Sequence, residues 1–401
     1  MLNIEKIRDA QRVLEGVARH TDLIKAPLLT NECKLYLKPE NLQFTGSFKL
    51  RGAGYKIACL TDEEKKNGVV ACSAGNHAQG VALSASKYGI KSVICMPETA
   101  PLMKINATRS YGAEVVLVRG VYDDAHDKAV ELQKEYGYTF VHPFDDENVI
   151  AGQGTIGIEI LEELPDAEVI VCPIGGGGLI SGVALAAKSL NPNIKVYGVQ
   201  AEGAASMYGA VHKGEIIKLA GVKTFADGIA VKEAGELTFE CVSKYVDEVV
   251  TVSDDETASA ILMMIEKQKM VAEGAGAVAV AAVLSGKIPC KDKKTVCIIS
   301  GGNIDVSILS NVIERGLISN GRSHRINISL PDRPGQLNAV TKVIAANGGN
   351  ILSVNHTRGD DPMNINGCAL EITVETRDKE HIEQIDNSLK AAGFNLNATR
   401  Y

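Results

Sequence analysis

Lys49 stands in a sequence setting that would make its amine chemically useful. Residues 45–53 read Thr-Gly-Ser-Phe-Lys-Leu-Arg-Gly-Ala. Phe48 and Leu50 flank the lysine, and partly apolar surroundings lower the pKa of an ammonium group toward that of a usable nucleophile or base. Glycines on both sides let a large ligand approach the backbone. The alternative interpretation is an ordinary solvated lysine on a helix.

A second polar segment, Ser73-Ala74-Gly75-Asn76-His77, follows an apolar run and precedes a helical pattern. The free N–H groups of such a strand-to-helix turn can bind a carboxylate. From the residues alone, capping of the helix by Ser73 or Asn76 explains the segment equally well. We expect His77 to be a structural residue at the helix start rather than a general base.

Four consecutive glycines, Gly175 to Gly178, separate the apolar run 168–173 from a helical pattern that includes Leu179. Backbone N–H groups of such a turn form a nest at the positive end of a helix, and this arrangement binds phosphate. The alternative, a flexible linker, is a poor interpretation between a buried strand and an apolar helix.

A literal GxGxxG pattern is formed by Gly152, Gly154 and Gly157. A polar turn separates it from the preceding strand, and about twenty residues later stands Gly177 rather than an acid that could bind a ribose. We therefore expect no dinucleotide site here, and we expect these glycines to allow close helix packing.

Two further polar residues lie near apolar segments in the second half of the chain. Ser300 follows the strand-like run 295–299 and precedes Gly301-Gly302-Asn303, where it could simply cap a helix. Glu273, in Ala-Glu-Gly-Ala-Gly, either orients residues that contact a ligand without contacting it itself, or is a buried carboxylate with a purely structural role.

Taken together, these segments resemble the threonine and serine dehydratases of the tryptophan-synthase-β-like pyridoxal-phosphate enzymes. The resemblance spans residues 1–320 and rests on Ser-Phe-Lys-Leu-Arg-Gly-Ala at 47–53, the loop 73–80, the glycine run and the serine at 300. It implies that Lys49 is the Schiff-base lysine and removes the substrate α-proton. It also implies a substrate-carboxylate site made of Ser73, Ala74, Gly75, Asn76 and His77.

The resemblance further implies the residues that bind pyridoxal 5'-phosphate. Asn76 would bind the cofactor 3'-hydroxyl, Ser300 the pyridine nitrogen, and the glycine run the phosphate. The complete expected set is Phe48, Lys49, Asn76, Gly175, Gly176, Gly177, Gly178, Leu179 and Ser300.

The implied reaction is conversion of threonine to 2-oxobutanoate and ammonia, with serine to pyruvate as a side activity. The related serine racemases carry a serine where Ala74 stands, so racemisation is not expected. Two alternatives remain, a β-replacement enzyme of the same fold and an amino-acid sensor with an inactive catalytic domain. No metal site is expected, because the eight histidines are scattered and the second carboxylate that relatives place after Glu202 is absent.

The elements that must position these residues alternate along the chain. Nine short apolar runs, many with Val-Val or Val-Ile doublets, alternate with helical patterns such as 76–87. Doublets suggest burial on both faces, as in parallel sheets covered by helices. We predict an α/β fold, and the resemblance implies the type II class of pyridoxal-phosphate enzymes, with two open subdomains. The catalytic domain would span 1–320, with a small subdomain at about 50–145.

Residues 325–401 follow a turn-rich stretch, 314–325, that we expect to be a linker. Their pattern, β-α-β-β-α-β, is ferredoxin-like, and Leu-Pro-Asp-Arg-Pro-Gly-Gln-Leu at 330–337 resembles the turn of regulatory ACT domains. The resemblance implies a homo-oligomer, dimer or tetramer, with an effector such as isoleucine or valine. The alternative is a dimerisation module without a ligand. The expected effector residues are Asp332, Gly335, Leu337, Asn350 and Ile351.

Composition limits the partners. The net charge is 42 − 49 = −7 without a basic cluster, which disfavours nucleic acid and anionic membranes. Nine cysteines, an odd number without a CxxC pair, favour free thiols in the cytoplasm.

Overall fold

The computed structural model describes residues 1–358 and 367–397. The chain divides into two compact units, Met1–Ile308 and Leu309–Tyr401. In the described part of the chain, no helix is both long enough and apolar enough to cross a membrane.

Ten strands and most of the helices belong to the first unit. The strands are β1 (Ile24–Lys25), β2 (Lys34–Pro39), β3 (Val69–Cys72), β4 (Ser92–Pro97), β5 (Glu114–Val118), β6 (Thr139–Phe140), β7 (Val169–Pro173), β8 (Lys195–Ala201), β9 (Glu248–Val252) and β10 (Lys294–Ile299). The helices are α1 (Ile4–Val13), α2 (Lys49–Ala58), α3 (Asp62–Asn67), α4 (Asn76–Lys87), α5 (Leu102–Ser110), α6 (Tyr122–Tyr136), α7 (Glu147–Glu163), α8 (Gly178–Leu190), α9 (Ser206–Lys213), α10 (Glu236–Tyr245), α11 (Asp254–Met263), α12 (Gly274–Leu284) and α13 (Val306–Ser319), the last of which continues past Ile308.

These strands form two sheets. The larger has the order β1-β2-β10-β7-β8-β9 and the smaller the order β5-β4-β3-β6. Every pairing is parallel except that of the short strand β1 with β2. All residues of β3 and β7 are buried, as expected for strands covered by helices on both faces. The predicted α/β fold with largely parallel sheets is confirmed.

Because the strands are parallel, the loops that follow them gather at one edge of each sheet. The loops after β2 and β10, which are neighbours in the larger sheet, contain Lys49 and Ser300. The loops after β3 and β7 contain Asn76 and the glycine run. The carboxyl edge of parallel sheets is where ligands of open α/β folds bind.

Several element boundaries differ from the predictions. The segment 314–325, predicted as a linker, is helical up to Ser319, and only a short turn precedes the next strand at Ser323. The apolar residues of α13, including Val312, extend the helical period into this region and outweigh its turn-forming residues. The short strand β1 was not predicted.

The GxGxxG pattern lies inside α7, so it is not a strand-to-helix turn. A Cβ on Gly152 would lie 2.5 Å from the carbonyl oxygen of Arg51 in α2. A Cβ on Gly157 would lie 2.8 Å from the carbonyl oxygen of Val183 in α8. These glycines let three helices pack closely, as expected.

The described part of the second unit contains the end of α13, one sheet and two further helices. Its remaining elements are β11 (Ser323–Pro331), α14 (Gln336–Ala346), β12 (Asn350–Arg358), β13 (Gly367–Glu375), α15 (Lys379–Ala391) and β14 (Leu396–Asn397). The sheet is antiparallel with the order β12-β13-β11-β14. Alternate residues of β11, among them Ile326 and Ile328, pack into a core with the two helices. The β-α-β-β-α-β pattern is confirmed; the predicted last strand, 394–399, partly lies outside the described residues.

Candidate active site

Lys49 is the first residue of α2 and its side chain is partly buried. Its Nζ donates a hydrogen bond to the carbonyl oxygen of Pro143 at 2.8 Å and lies 5.2 Å from the centre of the Phe48 ring. Desolvation of the amine lowers its pKa to about 8, although the nearby carboxylate of Glu273 opposes this shift. Within the described residues no carboxylate forms an ion pair with it. The amine is therefore poised to change its protonation state near neutral pH.

The segment before Lys49 is joined to the loop that follows β10. The backbone N–H of Phe48 donates to the carbonyl oxygen of Ser300 at 3.0 Å, and Gly302 donates to Gly46 at 2.9 Å. Gly46 has a φ of +69°, a backbone conformation that residues other than glycine rarely adopt. These contacts fix the start of α2 against the end of the larger sheet. They place Ser300, predicted from its own motif, beside the lysine segment.

Asn76 does not cap α4. The N-cap residue is Gly75, which has no side chain that could cap the helix. The amide of Asn76 instead donates to the carboxylate of Glu273 at 2.6 Å and accepts from the amide of Asn303 at 2.8 Å. Its orientation is thus fixed by two residues far away in sequence. The capping interpretation is wrong for this residue, and Glu273 is paired with a predicted site residue.

Glu273 is buried, with 4% of its surface exposed. Burial raises the pKa of its carboxyl to about 7, and the charge of Asp227 raises it further, while the Asn76 hydrogen bond opposes the change. A carboxyl with this pKa exists in both protonation states near neutral pH.

The remaining residues of the 73–77 segment have separate surroundings. The hydroxyl of Ser73 accepts a hydrogen bond from the N–H of Gly75 at 3.2 Å, and Ala74 packs against the core of the smaller sheet. The ring of His77 is buried, and its Nε2 lies 2.8 Å from the carbonyl oxygen of Val141. Desolvation lowers the pKa of His77 to about 3, so the imidazole is neutral.

The glycine run forms the predicted strand-to-helix turn. It follows β7, and α8 begins at Gly178 after Gly177, whose φ is +100°. The first N–H groups of α8 have no partner within the helix. The hydroxyl of Thr238 donates to the carbonyl oxygen of Gly176 at 2.6 Å and holds the turn in place. This geometry suits a phosphate group, because N–H groups and the helix dipole both favour an anion there.

The segment Pro143-Phe144-Asp145 was not singled out by the sequence analysis. The Pro143 carbonyl accepts from Lys49, and a Cβ on Gly178 would lie 2.8 Å from the carbonyl oxygen of Phe144. Asp145 accepts a hydrogen bond from the N–H of Thr238 at 3.1 Å. The segment thus lies between the lysine and the glycine run. Its position just after β6, at the carboxyl edge of the smaller sheet, is a signal that could have identified it.

A second unforeseen contact joins α5 to the segment that precedes α10. The ammonium of Lys104 in α5 lies 2.6 Å from the carboxylate of Asp227. Both charges influence the pKa of Glu273. The sequence offers no signal for this ion pair, since its partners lie 123 residues apart.

The predicted effector residues lie near the ends of elements in the second unit. Gly335 has a φ of +92° at the start of α14, and Leu337 is partly exposed. Asp332 pairs with Arg358 at 3.2 Å, and Asn350, followed by Ile351 in β12, donates to Glu375 at 2.9 Å.

Glu202, considered in the sequence analysis as a cation ligand, lies 3.7 Å from the ammonium of Lys287. In the described part of the chain, two side-chain groups bring ligand atoms close enough for a metal ion. They are His20, Asp22 and Glu163, and Asp332, His356 and Cys368.

The residues around Lys49 fit an aldehyde cofactor that carries a phosphate. The amine is desolvated and bonded to a carbonyl rather than to a carboxylate. At Gly176 a Cβ would overlap the Phe144 ring, so a larger residue would displace the segment beside the phosphate turn. A lysine amine and a phosphate nest in one site are the two elements by which pyridoxal phosphate is held.

Two family profiles match the chain. One, described as pyridoxal-phosphate dependent enzyme, matches residues 14–301, and the other, described as ACT domain, matches residues 324–394.

Named relatives agree with these matches. An L-threonine ammonia-lyase of Thermotoga maritima is 51% identical over 398 residues, covering 99% of both chains. The structure of a threonine deaminase from Solanum lycopersicum superimposes with a TM-score of 0.75 at 40% identity, covering 78% of this chain and 88% of that one. Maize serine racemase gives a TM-score of 0.74 at 35% identity, covering 79% and 98%.

Proposed function

The chain belongs to the pyridoxal-phosphate dependent enzymes, with pyridoxal phosphate as its cofactor, and we propose that it is an L-threonine ammonia-lyase. It would convert threonine to 2-oxobutanoate and ammonia, and serine to pyruvate and ammonia as a side activity. The observation that carries the proposal is the desolvated amine of Lys49, with a pKa near 8, in a site that also contains Asn76 and the glycine run. The named relatives of this activity support it.

In the proposed reaction Lys49 is the base. When bound, pyridoxal phosphate withdraws electrons from the substrate α-carbon and makes its proton acidic. The lowered pKa of Lys49 leaves a substantial fraction of the amine uncharged, so it can accept that proton. The Pro143 carbonyl, 2.8 Å away, holds the amine in position between proton transfers.

The other residues bind and orient. The N–H groups at the start of α4 receive the substrate carboxylate, and the neutral ring of His77 does not compete with them for its charge. Asn76, oriented by Glu273 and Asn303, presents its amide to the cofactor hydroxyl. Gly175 to Leu179 would bind the phosphate. The Ser300 hydroxyl, which here donates to the Ala275 carbonyl at 3.2 Å, would bind the ring nitrogen.

Ala74 separates elimination from racemisation. Racemisation needs a proton donor on the face of the substrate opposite Lys49, and a methyl group has no proton to give. Ala74 also packs against the core of the smaller sheet. We therefore propose that L-serine gives pyruvate without accumulation of D-serine, although the fold is shared with maize serine racemase.

The test is release of 2-oxo acids from threonine and serine by the purified full-length protein. We expect a yellow protein that acts on threonine, and a colourless Lys49→Ala variant slowed by about 10²-fold or more. Lys66→Ala, at an exposed position, is the matched control and should retain colour and activity. A yellow protein that forms no 2-oxo acid but joins an added thiol to serine would indicate a β-replacement enzyme. A colourless wild type that binds amino acids would indicate an inactive sensor.

We propose that residues 325–401 are a regulatory domain, following a catalytic domain of residues 1–320 with a small subdomain at about 50–145. Isoleucine or valine would bind near Asp332, Gly335, Leu337, Asn350 and Ile351, in a dimer or tetramer of a cytoplasmic enzyme. Support comes from the ACT profile and from the turn at Gly335. Threonine turnover that is unchanged by both amino acids, in a protein that is active without them, would leave only a dimerisation module.

A further inference from the structure

Two of the nine cysteines approach each other at the start of neighbouring strands of the larger sheet. Cys33 immediately precedes β2, and Cys290 lies in the turn that precedes β10. Both chain neighbours of Cys33 form backbone hydrogen bonds with the turn. The N–H of Lys34 donates to the Lys293 carbonyl at 2.9 Å, and the N–H of Asp292 donates to the Glu32 carbonyl at 2.7 Å. The strand start is thus held against the turn.

The turn that contains Cys290 is tight. The N–H of Lys293 donates to the carbonyl oxygen of Cys290 at 3.0 Å, and Asp292 has a φ of +61°. The chain therefore folds back within four residues. The two thiols lie close enough to influence each other's ionisation, and the Thr295 side chain influences both.

The electrostatic surroundings make the two thiols unequal. Pairing with Cys33 lowers the pKa of the Cys290 thiol, and the charge of Lys293 contributes to this shift. The same pairing and burial raise the pKa of Cys33. Cys290 is thus the thiol of the pair that ionises more readily, and the thiolate is the form that reacts with oxidants.

Both cysteines are largely buried, with 8% and 4% of their surfaces exposed, but Glu32 and Lys291 beside them are exposed. The pair therefore lies just below the protein surface.

We propose that Cys33 and Cys290 form a reversible disulfide when the protein meets hydrogen peroxide. The Cys290 thiolate attacks one peroxide oxygen and the O–O bond breaks, which leaves a sulfenic acid on Cys290. The second oxygen leaves as hydroxide, takes up a proton and becomes water. The Cys33 sulfur then attacks the sulfenic sulfur, the S–O bond breaks, and Cys33 loses its proton as a second water leaves. Two thiols are oxidised by two electrons, and one peroxide is reduced to two waters.

A second pair in the chain provides an internal comparison. Cys72 and Cys95 are direct partners in the parallel strands β3 and β4. Burial raises the pKa of Cys72 to about 12 and that of Cys95 to about 11, so neither carries thiolate at neutral pH. If proximity alone decided the outcome, peroxide would oxidise both pairs. The proposed chemistry predicts oxidation of the Cys33–Cys290 pair alone.

The experiment uses the full-length holoenzyme, treated with hydrogen peroxide at pH 7, unfolded, alkylated and digested for mass spectrometry. We expect a cross-linked peptide pair containing Cys33 and Cys290, with seven of the nine thiols still alkylated. A reducing agent should restore all nine. Nine alkylated thiols after peroxide treatment, or a cross-link only between Cys72 and Cys95, would overturn the proposal.

Variants separate the two steps. Cys33→Ser should stop at a sulfenic acid on Cys290 that a dimedone-type reagent captures, whereas Cys290→Ser should give neither product at Cys33. Cys59→Ser, at an exposed cysteine, is the control and should still form the cross-link. Oxidised wild type should also unfold at a higher temperature than oxidised Cys33→Ser, because a cross-link restricts the unfolded chain. If Cys33→Ser does not fold, the peptide map of the wild type decides alone.

Discussion

The amide of Asn76 donates a hydrogen bond of 2.6 Å to the carboxylate of Glu273, joining residues 197 positions apart. Asn76 begins α4, which follows β3 of the smaller sheet. Glu273 immediately precedes α12, which packs beside the larger sheet. This bond connects residues beside the two sheets at the site that contains Lys49. It also places a titratable group directly behind a proposed cofactor ligand.

We expect Glu273→Gln to change how stability depends on pH. Burial raises the pKa of Glu273 from 4.5 to about 7, so its contribution to stability is present below pH 4.5 and is lost as pH rises through 7. At about 1.4 kcal/mol per pKa unit, the glutamine variant should gain on the order of 3 kcal/mol over wild type between pH 4 and pH 8. Urea unfolding of cofactor-free protein measures this. Glu15→Gln, exposed, should show no such trend; parallel profiles for Glu273→Gln and wild type would contradict the assigned pKa.

Reaction of the cofactor-free protein with pyridoxal phosphate should accelerate as pH rises, with a midpoint near 8. Only the uncharged Lys49 amine attacks an aldehyde, and desolvation lowers its pKa to about 8 from 10.5. Between pH 6 and pH 8 the rate should rise roughly fifty-fold. Stopped-flow absorbance in the visible range follows the reaction. A rate that still rises tenfold per pH unit above pH 9 would show that the amine is not desolvated.

Arg51→Met should destabilise the first unit. The guanidinium of Arg51 is 2% exposed and pairs with Glu40 at 2.8 Å and with Glu159 at 2.5 Å. Removing it leaves two buried carboxylates without this partner, which costs about 3–5 kcal/mol. Chemical denaturation measures the loss. Arg12→Met, at a side chain that is 75% exposed, should change stability by only about 0.5 kcal/mol; equal losses in both variants would show that the buried network contributes nothing.

Gly178→Ala should weaken cofactor binding. The new Cβ would lie 2.8 Å from the carbonyl oxygen of Phe144 and 2.9 Å from its Cα, so the backbone beside Pro143 must move. Overpacking of about 1–3 kcal/mol corresponds to roughly a five- to 150-fold loss of affinity. Titration of cofactor-free protein with pyridoxal phosphate measures it. Gly221→Ala, where the added Cβ meets no atom within 4 Å, should bind as wild type does, and an unaltered affinity for Gly178→Ala would disprove the constraint.

Local patterns predicted much of the framework. The bounds of α4 agree with the predicted helical pattern, 76–87, to the residue, because the apolar period there lies between turn-forming residues. The glycine run was placed at a strand-to-helix turn for the same reason. The boundary near 314–325 was misjudged because turn-forming residues can also occupy the last turns of a helix when its apolar face continues.

The sequence by itself determined the fold class and the family resemblance, since both depend on residue types at short spacing. Only the tertiary structure decided that Asn76 donates a hydrogen bond to Glu273 instead of capping a helix. It also decided that Lys49 donates to the Pro143 carbonyl, and that Cys33 lies near Cys290. The physical reason is that a hydrogen bond and a pKa shift depend on distance and burial. For residues far apart in the chain, strand order and helix packing set both.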